Sequence, residues 1–225
     1  MKTIGLLAAF GPVAGAHFYC RLLALTQAKS DADYPGIVLL SRPDIPDRLD
    51  YLLRNGPSRI PQFEAMTKDL NYHQVDAVGI LSATSHAFLS HVQAVSNAPV
   101  VSLLEAVGRD VAKEQAKKLA ILGTSGTKAL KLYEAQLPND CIPSYPNDNE
   151  QLELDRLIYA LKQGMPVEHI APQLMQLMNQ PWAKGADAFL LGCTELHLAY
   201  QFLSTNYTLI DSVDSLAHAL LTAVA

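Results

Sequence analysis

Short apolar runs bounded by turn residues recur along the chain, and such runs are typical of buried β-strands. The predicted strands are Thr3–Leu7, Gly36–Leu40, Val75–Leu81, Val100–Val101, Leu119–Leu122, Ala188–Leu191 and Leu209–Ile210. Between them, apolar residues recur at the three- and four-residue spacing of a helix that faces a core. The predicted helices are Phe18–Lys29, Pro61–His73, Leu152–Lys162 and Ile170–Met178. Because strands and helices alternate, the pattern predicts an α/β fold with a mostly parallel sheet and helices on both faces.

Two distant segments of the chain resemble each other. The stretch "DAVGILSATSHAFLS" begins at Asp76, and the stretch "DAFLLGCTELHLAY" begins at Asp187. Aligned without a gap, they place Ser82 opposite Cys193, in short polar clusters that follow the two strands. An upstream pair, "KTIGLLAAFGP" and "KLAILGTSGT", and a downstream pair, "PVVSLLEAV" and "TLIDSVDSL", occur in the same order. Three similar segments in one order indicate an internal duplication.

The duplication predicts two pseudo-symmetric open, mostly parallel sheets flanked by helices. We expect one half to span residues 1–100 and the other residues 101–225, with the C-terminal helix free to pack back on the first half. Ligands of parallel sheets bind beyond the carboxyl ends of the strands. The loops that contain Gly11, Ser82, Gly126 and Cys193 occupy that position. We therefore expect these loops to converge on an active-site cleft between the halves, with Cys193 facing Ser82.

Composition removes several classes of function. Apolar residues make up 49% of the 225 residues, enough for a large core, and no run is long and uncharged enough to span a membrane. The net charge of −5 is spread out without a basic patch, so we expect no nucleic-acid partner. The N-terminal apolar run ends in Gly-Pro and continues as a helix, which argues against a signal peptide. Three widely spaced cysteines indicate free thiols in the cytoplasm, and no Cys/His spacing indicates a metal site.

Cys193 is the strongest chemical candidate because it lies between the end of a strand and the start of a helix. Backbone N–H groups and the positive end of a helix lower a thiol pKa from its ordinary value of about 8.5. A thiol with a lowered pKa exchanges protons readily near neutral pH. Cys20 lies in a helical pattern and Cys141 lies beside a loop, and we interpret both as structural residues.

Four segments, taken together, resemble the aspartate/glutamate racemase family. They are "MKTIGLLAAFGP", "RPDIPDR", "LGTSGT" and "GCTEL". The resemblance covers nearly the whole chain in the right order. It implies a homodimeric enzyme that racemises an acidic amino acid without pyridoxal phosphate or any other cofactor. In the family, two cysteines face the α-carbon from opposite sides, so that one removes the α-proton and the other returns a proton.

The resemblance also assigns roles to residues of this chain. Cys193 matches the cysteine of the second half, and Arg48 matches an arginine that binds a substrate carboxylate. Lys162 matches a second cationic position, near the side-chain carboxylate of the substrate. Small loop residues would surround a carboxylate with backbone N–H groups and hydroxyls. These are Gly11, Ala83, Thr84, Thr124, Thr127 and Thr194.

The first half departs from the family pattern at two places. The family motif reads Cys-Asn-Thr-x-His, whereas residues 82–86 of this chain read "SATSH". Ser82 and Thr84 are therefore the candidates for proton transfer on that side, and a serine is a poor base without a neighbour such as His86. The family's first loop reads Gly-Gly-Met-Gly-Pro, whereas residues 8–12 read "AAFGP". We expect Ala8, Ala9 and Phe10 to crowd the cleft.

These departures leave three interpretations open. The protein is a racemase of aspartate or glutamate that is weak or one-sided because Ser82 replaces a cysteine. Alternatively, it is a single-thiol decarboxylase or isomerase similar to the related arylmalonate decarboxylases. The third interpretation is a non-catalytic protein that binds a small carboxylic acid, which need not be an amino acid.

Three further residues near the candidate site have two interpretations each. His86 either tunes Ser82 or packs as a structural residue, and we prefer a packed or partly exposed role for His197. Glu195 is most simply explained as an acidic residue that the helix dipole favours at a helix start. A role in acid–base chemistry is the alternative.

Overall fold

The computed structural model describes residues 2–8, 11–43, 45 and 48–225, with the backbone alone at residues 48, 49 and 53. The chain divides into two compact units. The first runs up to Leu103 and includes Leu216–Ala225, and the second comprises Leu104–Ser215.

Parallel strands form one sheet in each unit. The strands of the first unit are β1 (Thr3–Leu7), β2 (Gly36–Leu40), β3 (Ala77–Ile80) and β4 (Val100–Val101). The strands of the second unit are β5 (Lys118–Leu122), β6 (Ile142–Ser144), β7 (Ala188–Leu191) and β8 (Leu209–Asp211). Among the described residues, the strand orders are β2-β1-β3-β4 and β6-β5-β7-β8, and every pairing is parallel.

Helices connect the strands. They are α1 (Pro12–Leu25), α2 (Arg48–Arg54), α3 (Ile60–Tyr72), α4 (Leu89–Val95), α5 (Leu103–Glu114), α6 (Ser125–Ala129), α7 (Asp148–Lys162), α8 (Val167–Met178), α9 (Tyr200–Leu203) and α10 (Ser212–Ala223). Short 3₁₀ turns occur at Asp31–Asp33, Thr84–Phe88, Glu134–Gln136, Pro181–Ala183 and Thr194–Ala199. The predicted fold class, two parallel sheets flanked by helices, is confirmed.

All four predicted helices start later than the observed ones, and the difference is largest for α1 and α7. Pro12 occupies the first helical position of α1, where its fixed φ favours the helix, so α1 begins six residues before the predicted Phe18. The start of α7 is set by a capping box. The Asn147 side chain accepts from the Glu150 N–H, and the Glu150 side chain accepts from the Asn147 N–H. The helix therefore begins at Asp148 rather than at the predicted Leu152.

Glycines let helices lie close to the first sheet. A Cβ on Gly5 of β1 would lie 2.9 Å from a Leu70 methyl of α3, and a Cβ on Gly79 of β3 would lie 2.7 Å from a Leu220 methyl of α10. The contact of Leu220 with Gly79 brings α10 back to the first unit at the end of the chain. Within the described residues, no helix has the length and apolar character that a membrane crossing requires.

The two units share more than strand order. Asp76 precedes β3, and its carboxylate accepts from the Thr3 N–H at 2.7 Å. Asp187 precedes β7, and its carboxylate accepts from the Lys118 N–H at 2.8 Å. Each aspartate thus fastens the start of one central strand to the start of its neighbour. The repeated Asp-Ala pair of the sequence has the same structural role in both units, as an internal duplication predicts.

We predict that Asp76→Ala and Asp187→Ala each lower the thermal unfolding temperature, because each removes the acceptor of a backbone N–H at a strand start. Circular dichroism melts measure the change. Asp148→Ala is the matched control, since the Asp148 side chain is fully exposed. Melts of both variants that match the control would contradict the stabilising role of these two bonds, and a loss of stability in only one variant would contradict their equivalence.

Candidate active site

The turn after β3 holds the first group of candidate residues. Ser82 follows the strand by two residues, and its Oγ lies 3.2 Å from Oγ1 of Thr84. Ser82, Ala83 and Thr84 are each less than 10% exposed. The two hydroxyls are therefore hydrogen-bonded to each other in a nearly buried turn.

His86 is held at both ring nitrogens by backbone groups. The Leu103 N–H donates to Nε2 at 2.9 Å, and Nδ1 lies 2.9 Å from the Ser82 carbonyl oxygen. Because Nε2 accepts a hydrogen bond, the proton is on Nδ1, which donates to that carbonyl. Burial lowers the pKa of His86 to about 4, so the ring is neutral near pH 7. His86 is a structural residue and does not act as a base for Ser82, which decides between the two interpretations of this histidine.

Gly11 and Arg48, which the sequence predicted to contact a substrate carboxylate, follow strands β1 and β2 of the first unit. Gly11 precedes α1, and its carbonyl accepts from the Gly15 N–H at 2.8 Å. Arg48 begins α2, but its side chain lies outside the described residues. Ala9 and Phe10 of the first loop also lie outside the described residues. The roles of Gly11 and Arg48, and the crowding by this loop, stay predictions.

The end of β7 is packed closely beneath Cys193. The Gly192 N–H donates to the Leu122 carbonyl at 2.7 Å, and the Tyr133 hydroxyl donates to the Gly192 carbonyl at 2.8 Å. A Cβ on Gly192 would lie 3.0 Å from the Tyr133 ring and 3.2 Å from the Leu122 carbonyl oxygen. A side chain at residue 192 would therefore push β7 away from β5 and move the turn that carries Cys193.

Cys193, Glu195 and Lys162 form a connected group in the second unit. The Cys193 thiol donates to Oε2 of Glu195 at 3.0 Å. The Thr194 hydroxyl donates to the same oxygen at 3.2 Å. Nζ of Lys162, the last residue of α7, lies 3.7 Å from Oε1 of Glu195. The structure thus places Cys193, Thr194 and Lys162, which the sequence predicted as site residues, around one carboxylate.

The prediction that the pKa of Cys193 is lowered was wrong. Burial of the sulfur raises this pKa well above its ordinary value, and the negative charge of Glu195 raises it further, while Lys162 partly offsets both effects. The turn that follows is a 3₁₀ segment, and Cys193 makes no side-chain capping bond to it. Its weak dipole does not compensate for desolvation. Near pH 7, Cys193 is a neutral thiol.

Glu195 is the residue that sequence reasoning undervalued. Its side chain is 7% exposed, and it is the common partner of a thiol, a hydroxyl and an ammonium group. A helix start that merely favours an acidic residue does not require burial of the carboxylate. The available signal was the motif "GCTEL", in which the glutamate follows the cysteine by two positions and is close enough to reach its thiol.

Thr124 and Thr127 lie after β5, the neighbour of β7. The two hydroxyl oxygens are 3.2 Å apart, and Thr124 Oγ1 also accepts from the Thr127 N–H at 3.3 Å. Gln151 of α7 supports this turn by donating to the Gly123 carbonyl at 2.9 Å. The hydroxyls are thus positioned by local bonds, and their contact with a substrate carboxylate stays a prediction.

His197 occupies the repeat position of His86 but has a different partner. Its Nδ1 lies 2.7 Å from Oδ2 of Asp211, whose other oxygen accepts from the Val213 N–H at 2.8 Å. Asp211 is buried and His197 is half-buried. This arrangement matches the packed or partly exposed role that we preferred for His197.

The remaining cysteines lie apart from this chemistry. Cys20 is exposed on α1, and Cys141 is buried beside β6, where desolvation raises its pKa. The predicted approach of Ser82 to Cys193 across a cleft stays a prediction.

Comparisons with known proteins agree on one family. The family model described as Asp/Glu/Hydantoin racemase matches residues 7–220. The broad specificity amino-acid racemase RacX of Bacillus subtilis (strain 168) is 25% identical, over 95% of this chain and 94% of its own length. The structure of Picrophilus torridus aspartate racemase has a TM-score of 0.89 at 24% identity, covering 100% of this chain and 94% of that one. An aspartate racemase homologue from Pyrococcus horikoshii OT3 has a TM-score of 0.77 at 25% identity, covering 100% and 99%.

We predict that acid destabilises the protein through His86. In the unfolded chain the His86 ring takes up a proton near pH 6.5, whereas in the folded chain burial lowers its pKa to about 4. Stability is therefore fully present above pH 6.5 and falls as the pH falls from 6.5 to 4, by at most roughly 3 kcal/mol. Urea unfolding at a series of pH values measures this slope. His86→Gln should reduce the slope, whereas His73→Gln, at an exposed histidine, should not.

We also predict that Glu195→Gln lowers the pKa of Cys193, because the carboxylate charge raises it. Lys162→Met should raise the same pKa, since the ammonium charge lowers it. Alkylation of Cys193 by iodoacetamide as a function of pH, followed by mass spectrometry, measures both changes. A Cys20→Ser background removes the exposed thiol from the reaction. Identical profiles for all three proteins would show that the charges do not act on the sulfur.

Proposed function

Because the chain belongs to the Asp/Glu/hydantoin racemase family, we propose that it is an amino-acid racemase that moves the α-proton of aspartate or glutamate without a cofactor. Two comparisons support the reaction class. The family model spans residues 7–220, and a relative that is named an amino-acid racemase matches along 95% of the chain. The choice of an acidic substrate follows the resemblance in the carboxylate-binding segments.

The observation that carries the proposal is the hydrogen bond from the Cys193 thiol to Glu195. In this proposal the thiol proton moves to Oε2 of Glu195, which leaves a thiolate and a neutral carboxylic acid. The thiolate removes the α-proton of the substrate, which becomes a carbanion, while Cys193 becomes a thiol again. Lys162 favours the thiolate because its positive charge lowers the pKa of Cys193. Glu195 thus supplies a proton acceptor where burial alone would keep the sulfur protonated.

Ser82 then donates its hydroxyl proton to the opposite face of the carbanion and becomes an alkoxide. Water reprotonates this alkoxide, and Glu195 releases to water the proton that it took from Cys193. The Ser82 hydroxyl pairs with Thr84, and both nitrogens of the nearby His86 bond to the backbone. Ser82 is consequently a poor base, so removal of a proton from that face is slow. The two enantiomers have equal free energies, so kcat/KM for racemisation is the same in both directions. A one-sided site therefore shows rapid α-proton exchange in one enantiomer together with slow inversion.

A non-catalytic binder of a small carboxylic acid is the second candidate. Two observations favour it: burial raises the pKa of Cys193, and no activating base contacts the Ser82 hydroxyl among the described residues. A single-thiol decarboxylase needs only Cys193 as a proton donor and fits the same observations. The homodimer that the resemblance implies stays a prediction.

Proton exchange in heavy water tests the proposal. Each enantiomer of aspartate and glutamate is incubated with the protein, and deuterium at the α-carbon is measured by proton NMR alongside the enantiomeric ratio. We expect one enantiomer to exchange faster than it inverts. Measurable binding of an amino acid without exchange in any of the four would favour the binder.

Variants at the two repeat positions separate the roles of the residues. Cys193→Ser should lower exchange by about 10²- to 10⁴-fold, the usual range for a general acid or base. Ser82→Ala should abolish inversion but leave exchange of the faster enantiomer within about twofold, since only the donor on the opposite face is lost. Ser82→Cys should raise the inversion rate at least about tenfold, because a thiol is a better acid and base than an alcohol. Undiminished exchange in Cys193→Ser would remove the sulfur from the mechanism.

A further inference from the structure

The first unit contains a buried arginine that has no charged partner among the described residues. Arg59 precedes α3 and is 6% exposed. Its Nε is fully buried and has no hydrogen-bond partner, and no salt bridge involves Arg59 among the residues that the structure describes. Exposed arginines of the chain differ in this respect, since Arg54 pairs with Asp50 and Arg156 pairs with Glu153.

The start of α3 lies at the carboxyl end of the first sheet. Near the end of the helix, Leu70 packs on Gly5, in the first half of β1. Near its start, the Phe63 ring stacks on the Phe88 ring with centroids 4.7 Å apart, and Phe88 ends the 3₁₀ turn that follows β3. Arg59 is therefore at the edge of the sheet where the turn of Ser82 begins, and ligands of parallel sheets bind at this edge.

Arg59 has no counter-ion among the described residues, and the burial of its Nε without a hydrogen-bond partner is costly to the folded protein. Arginine does not lose its charge in proteins, so it does not escape the cost of desolvation by deprotonation. Among the described residues, no acidic side chain compensates for this charge, and the first turn of α3 contains none. A positive charge such as that of Arg59, with no acidic partner among the described residues, indicates that an anion binds there.

Gln62 adds a second unmatched group on the same turn. Its Oε1 is buried and has no hydrogen-bond partner. Residues three apart in a helix are neighbours on its surface, so Gln62 lies beside Arg59. The Nε donor of Arg59 and the Oε1 acceptor of Gln62 thus both lack a hydrogen-bond partner. An α-amino acid carries the matching pair, a carboxylate and an ammonium group, on a single carbon atom.

We propose that Arg59 binds a carboxylate of the substrate and that Gln62 accepts a hydrogen bond from its ammonium group. The identity of the ligand, an acidic amino acid, rests on the proposed function. The binding itself requires no turnover. Arg59 and Gln62 then act as positioning and specificity residues in the first unit.

The test compares the binding of succinate and of racemic aspartate by calorimetry in wild-type protein and in Arg59→Met. Racemic aspartate keeps its composition whether or not the protein is active. Arg59→Met should weaken both ligands about 10- to 100-fold, because it removes a charge-assisted hydrogen bond. It should also raise the unfolding temperature without ligand by about 2–4 °C, since an unpaired buried charge is lost. Arg54→Met, at an exposed arginine, is the matched control and should change neither quantity.

Gln62→Leu separates the two contacts. It should weaken aspartate about tenfold and leave succinate unchanged, because succinate has no ammonium group. If Arg59→Met does not fold, Arg59→Lys keeps the charge but loses the fork, and weaker binding of both ligands is again expected.

Unchanged succinate affinity in the folded Arg59 variant would overturn the proposal, as would equal losses for both ligands in Gln62→Leu. Failure of the racemase proposal gives a different result, namely no α-proton exchange with any enantiomer while the ligand affinities still depend on Arg59. Exchange that continues with normal KM in the Arg59 variant would refute this inference alone.

Discussion

The hydrogen bond between the Cys193 thiol and the Glu195 carboxylate is the interaction on which the proposed chemistry of this protein depends. Burial holds the sulfur in its neutral form, and a neutral thiol does not remove a proton from carbon. A carboxylate 3.0 Å away makes proton loss possible without exposing the sulfur to water. Lys162 is needed in turn, because an unpaired buried carboxylate would itself be costly. The turn after β7 is therefore one electrostatic unit, positioned by the tight packing of Gly192 against Tyr133.

The two units have kept the same scaffold but have diverged at the ends of their central strands. Asp76 and Asp187 make equivalent bonds to backbone N–H groups at the strand starts. At the other end of those strands, both ring nitrogens of His86 bond to backbone groups, whereas its counterpart His197 bonds to the carboxylate of Asp211. One turn is thus closed by neutral hydrogen bonds, while the other holds ionisable groups. This asymmetry supports chemistry in which the units have unequal roles.

Much of the fold was predictable because buried parallel strands are short apolar runs with turn residues on both sides. The alignment of the two segments that begin with Asp-Ala then predicted that residues 82 and 193 occupy equivalent positions in the two halves. Strand β6 was missed because it is a three-residue edge strand that contains Pro143. The direction of the Cys193 pKa shift was missed for a different reason. It depends on the burial of the sulfur and on the orientation of Glu195, which residue spacing does not specify.

Arg59 shows why a binding residue is harder to recognise in sequence than a packing residue. The segment "PSRIPQF" is typical of an exposed junction between a loop and a helix, where an arginine is unremarkable. Only its burial without a partner makes the residue unusual. The same unit also buries the unpaired Oε1 of Gln62 and the unpaired Oγ of Ser85 in the turn after β3. Packing for stability alone would replace such groups with apolar ones, so their presence near the carboxyl end of one sheet is a structural cost that ligand binding explains.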